Sequence, residues 1–386
     1  MDAQATAECC ALRTGGLLRF FGDLPDPRAA NVVHKLTDLF AIAICAVICG
    51  AEGWVDVELF ARSKQAWLST FLDLRHGIPS HDTFGRLFAR IDPDAFERCF
   101  MNWMSSLKSS GTKLVAIDGK SIRRSFEHAW DKSGMVHLVS AFVEQNRMVF
   151  GQIAVRDKSN EIEAIPRLLK LLDLADSVVT IDAIGCQREI ARQIVTEKQA
   201  DYVLAVKENQ PTLHEKVQRL LDEAILEKFA GLNHDFIETV DGDHGRIETR
   251  RLWMTDQVQH LPESILNEWC ALSSIAVVES VREANGKTSR ERRYFISSIS
   301  TVDAKAMAGY VRGHWSVENN LHWQLDVSFG EDDRRIRKDH GAENFSRLCR
   351  MALNLVKSDK SVKAGMKAKR KKAGWDEPYL LKLLTG

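Results

Sequence analysis

Two short runs of strand-forming residues, each stopping at an aspartate, constrain this chain most: Val115-Ala116-Ile117-Asp118 and Val179-Thr180-Ile181-Asp182. Each acid is the first charge after an apolar run, and Gly119 or Gly185 follows soon after. In open α/β sheets, ligand-binding groups gather at the carboxyl ends of strands, where an acid points into a crevice and not into the sheet. A helix cap or turn aspartate is the plain alternative for either one alone. Two of them on neighbouring strands are harder to account for in that way.

The surrounding pattern supplies such a sheet. Residues 113–117, 178–181 and 202–206 read as strands, and residues 136–143 and 148–155 as a hairpin about Glu144-Gln145-Asn146-Arg147. Residues 163–172 and 187–196 carry helical periodicity. The order strand, hairpin, helix, strand, helix, strand predicts an α/β fold with a mixed five-stranded sheet and flanking helices. Four further strands within residues 236–299 predict a β-rich insertion over about 230–300, and helices follow from Thr301 to Leu325 and over 343–357.

Before the sheet, residues 1–33 are a poorly patterned lead and 34–110 an all-helical module. Leu36, Leu39, Phe40, Ile42, Ile44, Val47 and Ile48 make its first helix apolar nearly all round, as in a buried helix. The catalytic unit is expected over 111–356, with a basic tail at 357–386. With 53 Lys or Arg against 53 Asp or Glu the chain is neutral, but residues 334–372 hold 14 basic and 3 acidic residues. A neutral protein with one basic end can still hold a polyanion there. The 8 cysteines are scattered without metal-type spacing, and Cys45 and Cys49 read as core. The amino terminus lacks a signal-peptide pattern, and the longest apolar run, residues 39–49, is too short to span a bilayer. Together these predict a cytoplasmic protein with no membrane partner.

A third acid, Glu318, falls in a stripe with Val311, His314 or Trp315, Leu321 or His322, and Leu325, on the packed face of its helix. There it needs a metal or an ion pair with Arg312 or His314; Asp326, Glu331 and Asp332 compete for its role. Hard oxygen ligands favour Mg²⁺ or Mn²⁺ over zinc, and three carboxylates can hold two such ions for phosphodiester chemistry. A phosphatase of the haloacid dehalogenase type would want a second aspartate two residues after the first, where Lys120 stands.

Several longer motifs then become informative. Residues 116–123 (AIDGKSIR), 180–187 (TIDAIGCQ), 202–210 (YVLAVKENQ), His244-Gly245-Arg246, His314-Trp315-Ser316-Val317-Glu318-Asn319, 321–327 (LHWQLDV) and Glu331-Asp332 resemble the ISAs1 family of bacterial insertion-sequence transposases, which includes the H-repeat-associated proteins. The resemblance runs from about residue 20 to 357. It implies an RNase H-like core with a DDE triad at Asp118, Asp182 and Glu318, serving as both catalytic residues and metal ligands. It also implies a β-rich insertion between the second and third acids, and DNA transposition by strand cleavage and strand transfer. Relatives in the wider superfamily carry a Tyr, Arg, Glu, Lys signature on the last helix. Here His314 stands in place of that Arg, Tyr310 comes one residue early and Leu325 replaces the Lys, so Arg312 and Trp323 become the substitutes.

Partners follow from the same reading: double-stranded DNA at transposon ends and target, and a homodimer to pair two ends. Lys120, Arg123, Arg124, Lys207, Asn209 and Arg246, with Arg312, His314 and Trp323, are the candidate DNA contacts, positioning phosphates without reading sequence. Residues 367–372 are either a solubilising end or a nonspecific DNA hook. An RNase H-like nuclease without joining activity, or a silent DNA-binding relic, are the rival readings.

Overall fold

β-Branched and aromatic residues suit a buried pleated surface, and they mark the centre of the molecule. Strands form over Leu114–Ser121 (β1), His137–Val143 (β2), Met148–Val155 (β3), Val178–Ile181 (β4) and Asp201–Val206 (β5). Every residue of β2 and β4 is buried, as a sheet covered on both faces requires. The computed structural model describes residues 16–29, 32–107, 113–126, 135–155, 161–243, 246–284 and 286–385. Cys9, Cys10 and much of the expected lead lie outside these residues, as do His244 and Gly245.

The sheet is larger than the five strands expected. Its order is β3-β2-β1-β4-β5-β9-β8-β7-β6, nine strands in one sheet. β1, β4 and β5 are parallel, and the β2–β3 hairpin flanks β1 antiparallel. The insertion strands are His234–Asp243 (β6), Arg246–Thr255 (β7), Ser274–Ala284 (β8) and Lys287–Ser297 (β9). They form a meander that joins the sheet where β9 pairs with β5, Leu204 opposite Ile296. Without β9, β5 would expose a row of unpaired backbone groups.

Helices cover both faces. On one face lie Glu161–Leu171 (α5) and Pro211–Leu226 (α6). The sequence reading did not anticipate α6; its Leu213, Val217, Leu221 and Ala224 turn inward at helical spacing. The other face carries the amino-terminal helices Leu36–Cys49 (α1), Trp54–Ser63 (α2), His81–Arg90 (α3) and Pro93–Ser106 (α4). Asp92 accepts from the Ala95 amide at 2.6 Å and Pro93 opens α4, a cap and a first residue that need no further partner. Among the described residues no single helix is long and apolar enough to cross a membrane; α1 is buried within the protein.

Three helices follow the sheet, Ala304–Val317 (α7), Trp323–Phe329 (α8) and Gly341–Ser358 (α9). α9 ties the amino-terminal helices to the sheet. Its Arg347 pairs with Glu97 of α4 at 2.5 Å, and its Asn344 donates to the carbonyls of Phe88 and Ile91. Asn354 bonds both the amide and the carbonyl of Val149 in β3.

The stretch read as a basic tail is no free tail. It folds into Met366–Trp375 (α10) and Glu377–Thr385 (α11), and Tyr379, Leu380, Leu383 and Leu384 enter the same core as α1. Arg370 is buried, donating to the Val47 carbonyl at 2.8 Å and lying 3.9 Å over the Phe329 ring. It serves the orphan carbonyls at the end of α1. Lys369 is buried as well. The run of lysines hid the apolar spacing that decides this segment's place.

Candidate active site

Strand pairing brings the first two acids together. Ile117 of β1 lies opposite Ile181 of β4, so Asp118 and Asp182 are the next residues on adjacent parallel strands, with backbones about 4.8 Å apart. Asp118 does not end its strand, as the sequence suggested. β1 continues to Ser121 against β2 after β4 has stopped, which leaves the Asp118 edge open on the side of Asp182. Asp182 starts a helical turn and accepts from the Ile184 amide at 3.1 Å, a cap that fixes its carboxylate.

The backbone between them leaves little spare room. A Cβ on Gly119 would lie 2.5 Å from Glu161 Oε1 and 2.7 Å from His137 Nε2. Only a residue without a side chain lets that pair pack beneath the acids. Glu161 and His137 are themselves bonded, both buried, and His137 Nδ1 meets Ser121 Oγ at 2.8 Å.

The third acid arrives by a different geometry from the one expected. α7 crosses the sheet closely, with Gly313 against Leu114 and His314 Nδ1 3.1 Å from Thr180 Oγ1 of β4. At Glu318–His322 the helix opens into a π turn, which inserts a residue per turn and often marks a functional site. The packed stripe then runs Val317, Leu321, Leu325. Glu318 lies beside it with 67% of its side chain exposed, so it is not the buried carboxylate that a regular 3.6-residue period predicted. Its partner is neither Arg312, which pairs with Asp241 at 2.9 Å, nor His314, but His322 at 3.2 Å.

His322 is the residue that sequence reasoning left unassigned. It is buried, with Nδ1 3.2 Å from Glu318 and 3.7 Å from Asp118, while Nε2 has no hydrogen-bond partner among the described residues. Its spacing of four from Glu318 is the signal that was available. One ligand atom each of Asp118, Glu318 and His322 lie within 4.8 Å of one another. That set of two carboxylate oxygens and an imidazole nitrogen suits a divalent cation.

Charge in the site is unbalanced. Burial pushes the Asp118 carboxyl above its ordinary value, against the pull of His322. Burial raises Asp182 too, and the neighbouring charges of Asp118 and Glu161 add to it. Glu318 is instead held low by its hydrogen bond to His322. Burial makes His314 harder to protonate. Carboxylates that resist ionising side by side are relieved by a bound cation.

The other candidate residues differ in their surroundings. Lys120 is only 9% exposed and is ringed by Asp326, Glu331 at 3.4 Å and Asp332 at 3.5 Å. It is therefore a buried clamp, not a free phosphate contact, and the three acids that competed with Glu318 are the ones it holds. Asn209 donates to the Ala183 carbonyl at 2.5 Å, bracing the loop after Asp182. Arg123 and Arg124 are exposed and pair with Asp332 and Asp333. Lys207 is exposed at the end of β5 and Trp323 is half-exposed on the first turn of α8. Arg246 and Arg312 lie out on the insertion side, paired with Glu248 and Asp241.

Comparison with known proteins identifies the family. A family profile described as "Transposase DDE domain" matches residues 109–355, and one described as "DDE_Tnp_1-associated" matches residues 18–104. The chain is 41% identical to "Putative transposase YncI" of Escherichia coli O157:H7, over 96% of this chain and 94% of that protein. It is 39% identical to "H repeat-associated putative transposase YhhI" of Escherichia coli K12, over 96% and 98%. Among solved structures, a piggyBac transposase synaptic complex with hairpin DNA aligns over 98% of this chain and 80% of that one, at 10% identity and a TM-score of 0.41, a distant likeness. On the match to the DDE domain and on relatives similar along nearly their whole length, the chain belongs to the DDE transposase family.

Proposed function

We propose that Asp118, Asp182 and Glu318 form the catalytic centre of a DNA transposase with an RNase H-like core of the ISAs1 type, and that they hold two Mg²⁺ or Mn²⁺ ions. The observation that carries this reading is the meeting of Asp118, Glu318 and His322 ligand atoms within 4.8 Å, beside the strand that ends in Asp182. Divalent ions, when bound, favour the attacking oxygen's ionised form and stabilise the leaving oxygen. Asp118 and Asp182 hold the site from two adjacent strands, and Glu318 closes it from the π turn. His322 orients the Glu318 carboxylate through Nδ1 and keeps it beside Asp118.

The chain's own groups then place a phosphodiester at the acids for hydrolysis at the element's end. The freed 3′-hydroxyl occupies the same place when it attacks target DNA. Arg123, Arg124 and Lys207 lie at the strand ends and are the phosphate contacts of this reading. Trp323 is exposed on the same helical segment and offers a face for a displaced base. Pairing two ends calls for a homodimer, acting in the cytoplasm on the nucleoid.

Two measurements test the proposal. Calorimetric Mn²⁺ titration of the DNA complex is expected to give two ions per active site, reduced in Asp182→Asn. Product analysis on labelled element ends is expected to give both cleavage and joined products. Cleavage without joining would leave a nuclease.

A further inference from the structure

The far side of the helical segment that carries Glu318 walls a second feature, an open pocket of about 240 Å³. The β2–β3 turn brings Arg147 to it, the π turn Asn320, and the end of α9 with the chain beyond it Lys357, Lys360 and Lys369. Four of the lining side chains are cationic and none is acidic. Of these, Lys369 is balanced by Asp359 at 3.7 Å. Arg147 has no ion pair among the described residues. Among the described residues, Lys360 Nζ donates only to the Lys357 carbonyl, at 3.1 Å.

Lys357 is in the least comfortable position. Burial lowers its pKa to about 7, and the charges of Arg147 and Lys360 push the same way. Its ammonium meets the Asn320 carbonyl at 2.5 Å and the Phe142 ring at 5.4 Å, neither of which neutralises it. Arg147 also holds φ at 56°, a left-handed conformation that residues with a side chain seldom adopt. With these three basic groups in one concavity, an anion that enters relieves the repulsion between Arg147 and Lys360 and favours the charged form of Lys357.

Its location suggests which anion. Val143 pairs with Val115, so the β2–β3 turn lies at the start of β1, about 13 Å along the strand from Asp118. Because a strand winds about the axis as well as rising ~3.4 Å per nucleotide, that straight-line distance spans about two phosphates along one strand of duplex DNA. The Asn320 carbonyl held by Lys357 belongs to the π turn itself, which links the pocket to the position of Glu318.

We propose that this pocket docks a backbone phosphate of bound DNA a few nucleotides from the phosphate under attack, with Arg147 and Lys360 as the contacting charges and Lys357 as the tie to the Glu318 turn. This rests on the reading of the acids as catalytic. The test is binding of a fluorescent duplex carrying the element end to the full chain, as wild type, Arg147→Gln and Lys360→Gln, across a salt series. Both substituted residues are exposed, so the fold tolerates the changes. Each variant is expected to bind about 3- to 10-fold more weakly, and to flatten the slope of log affinity against log salt by about 1. Lys216→Gln, on α6 across the sheet, removes an equal charge and is expected to leave that slope alone.

If wild type binds and cuts the duplex while both variants bind it with unchanged affinity and slope, the pocket proposal is overturned and the catalytic reading stands. A wild type that neither binds nor cuts sinks the catalytic reading and the DNA source with it. Calorimetric titration with inorganic pyrophosphate separates the remaining source of phosphate. Binding lost in the variants, with DNA affinity unchanged, would assign the pocket to a free phosphate ligand and overturn DNA docking.

Discussion

Asp118 and Asp182 were legible because their signal is local: a few strand formers followed by an acid. His322 and Lys120 were not, because what defines them lies far away in sequence. Lys120 meets Asp326 and Asp332 more than 200 residues on, and no local pattern announces that a lysine will be buried among acids. The raised carboxyls carry a consequence for stability. A carboxyl whose folded pKa lies above its unfolded value contributes stability that is fully present below the unfolded pKa and is lost as pH rises through the folded one. Burial and neighbouring acids raise Asp182 in this way, so ionised Asp182 strains the metal-free protein at neutral pH. Asp182→Asn is therefore expected to raise Tm in EDTA at pH 7 by about 1–3 °C, with no gain below pH 4. Mn²⁺ is expected to raise the Tm of wild type more than that of the variant. Melting curves in EDTA and in Mn²⁺ check both, and a lower Tm for the variant at pH 7 in EDTA would contradict the account.

At the scale of elements, the strands were read more closely than the helices, since α6, α10 and α11 were missed, and what joins the elements was not read at all. The insertion's four strands are visible in alternating residues, whereas the pairing of β9 with β5 is a contact across about 90 residues. The exposure of Glu318 escaped because a π turn breaks the period on which the stripe was drawn. α8 is held to β1 through Asp326 and Lys120, and the turn that follows it to α9 through Glu331, which pairs with Arg350 at 2.8 Å and is 1% exposed. Burial opposes its ionisation, but Arg350, Lys120 and Arg334 outweigh that and hold its pKa down to about 2. The stability that Glu331 supplies is thus present above the ordinary glutamate range and lost as pH falls through about 2. Glu331→Gln leaves Arg350 buried without its counter-charge, and is expected to cost about 3–5 kcal/mol, read as a lower urea midpoint at pH 7. An unchanged midpoint would show that the network is not what holds α8.

On the scale of the whole molecule, the sequence divides into a module, a catalytic unit and a tail, while the packing does not. One apolar core includes Phe40 and Phe96 of the amino-terminal helices, Phe142 of the sheet, Leu321 beside Glu318 and Leu380 of α11. The Glu97–Arg347 pair sits inside it, with both side chains nearly inaccessible. Apolar faces reveal that a helix is buried without revealing against what, so this fusion was hidden. Calorimetry is expected to show one cooperative unfolding transition for the full chain. Deleting residues 1–110 is expected to give an insoluble product, because it strips the cover from α9. Two separate transitions, or a soluble and folded fragment 111–386, would contradict a shared core.

The central claim is that these acids cut and join DNA. The most direct measurement is Mg²⁺- or Mn²⁺-dependent cleavage and joining of labelled DNA carrying the sequences that flank this gene, with wild type and Asp118→Asn side by side and DNA binding followed in parallel. The account predicts cleavage followed by joining in wild type, and a loss of both by at least about a thousandfold in the variant while binding is retained. Equal cleavage by the two proteins, or binding without cleavage by wild type in either metal, would contradict it.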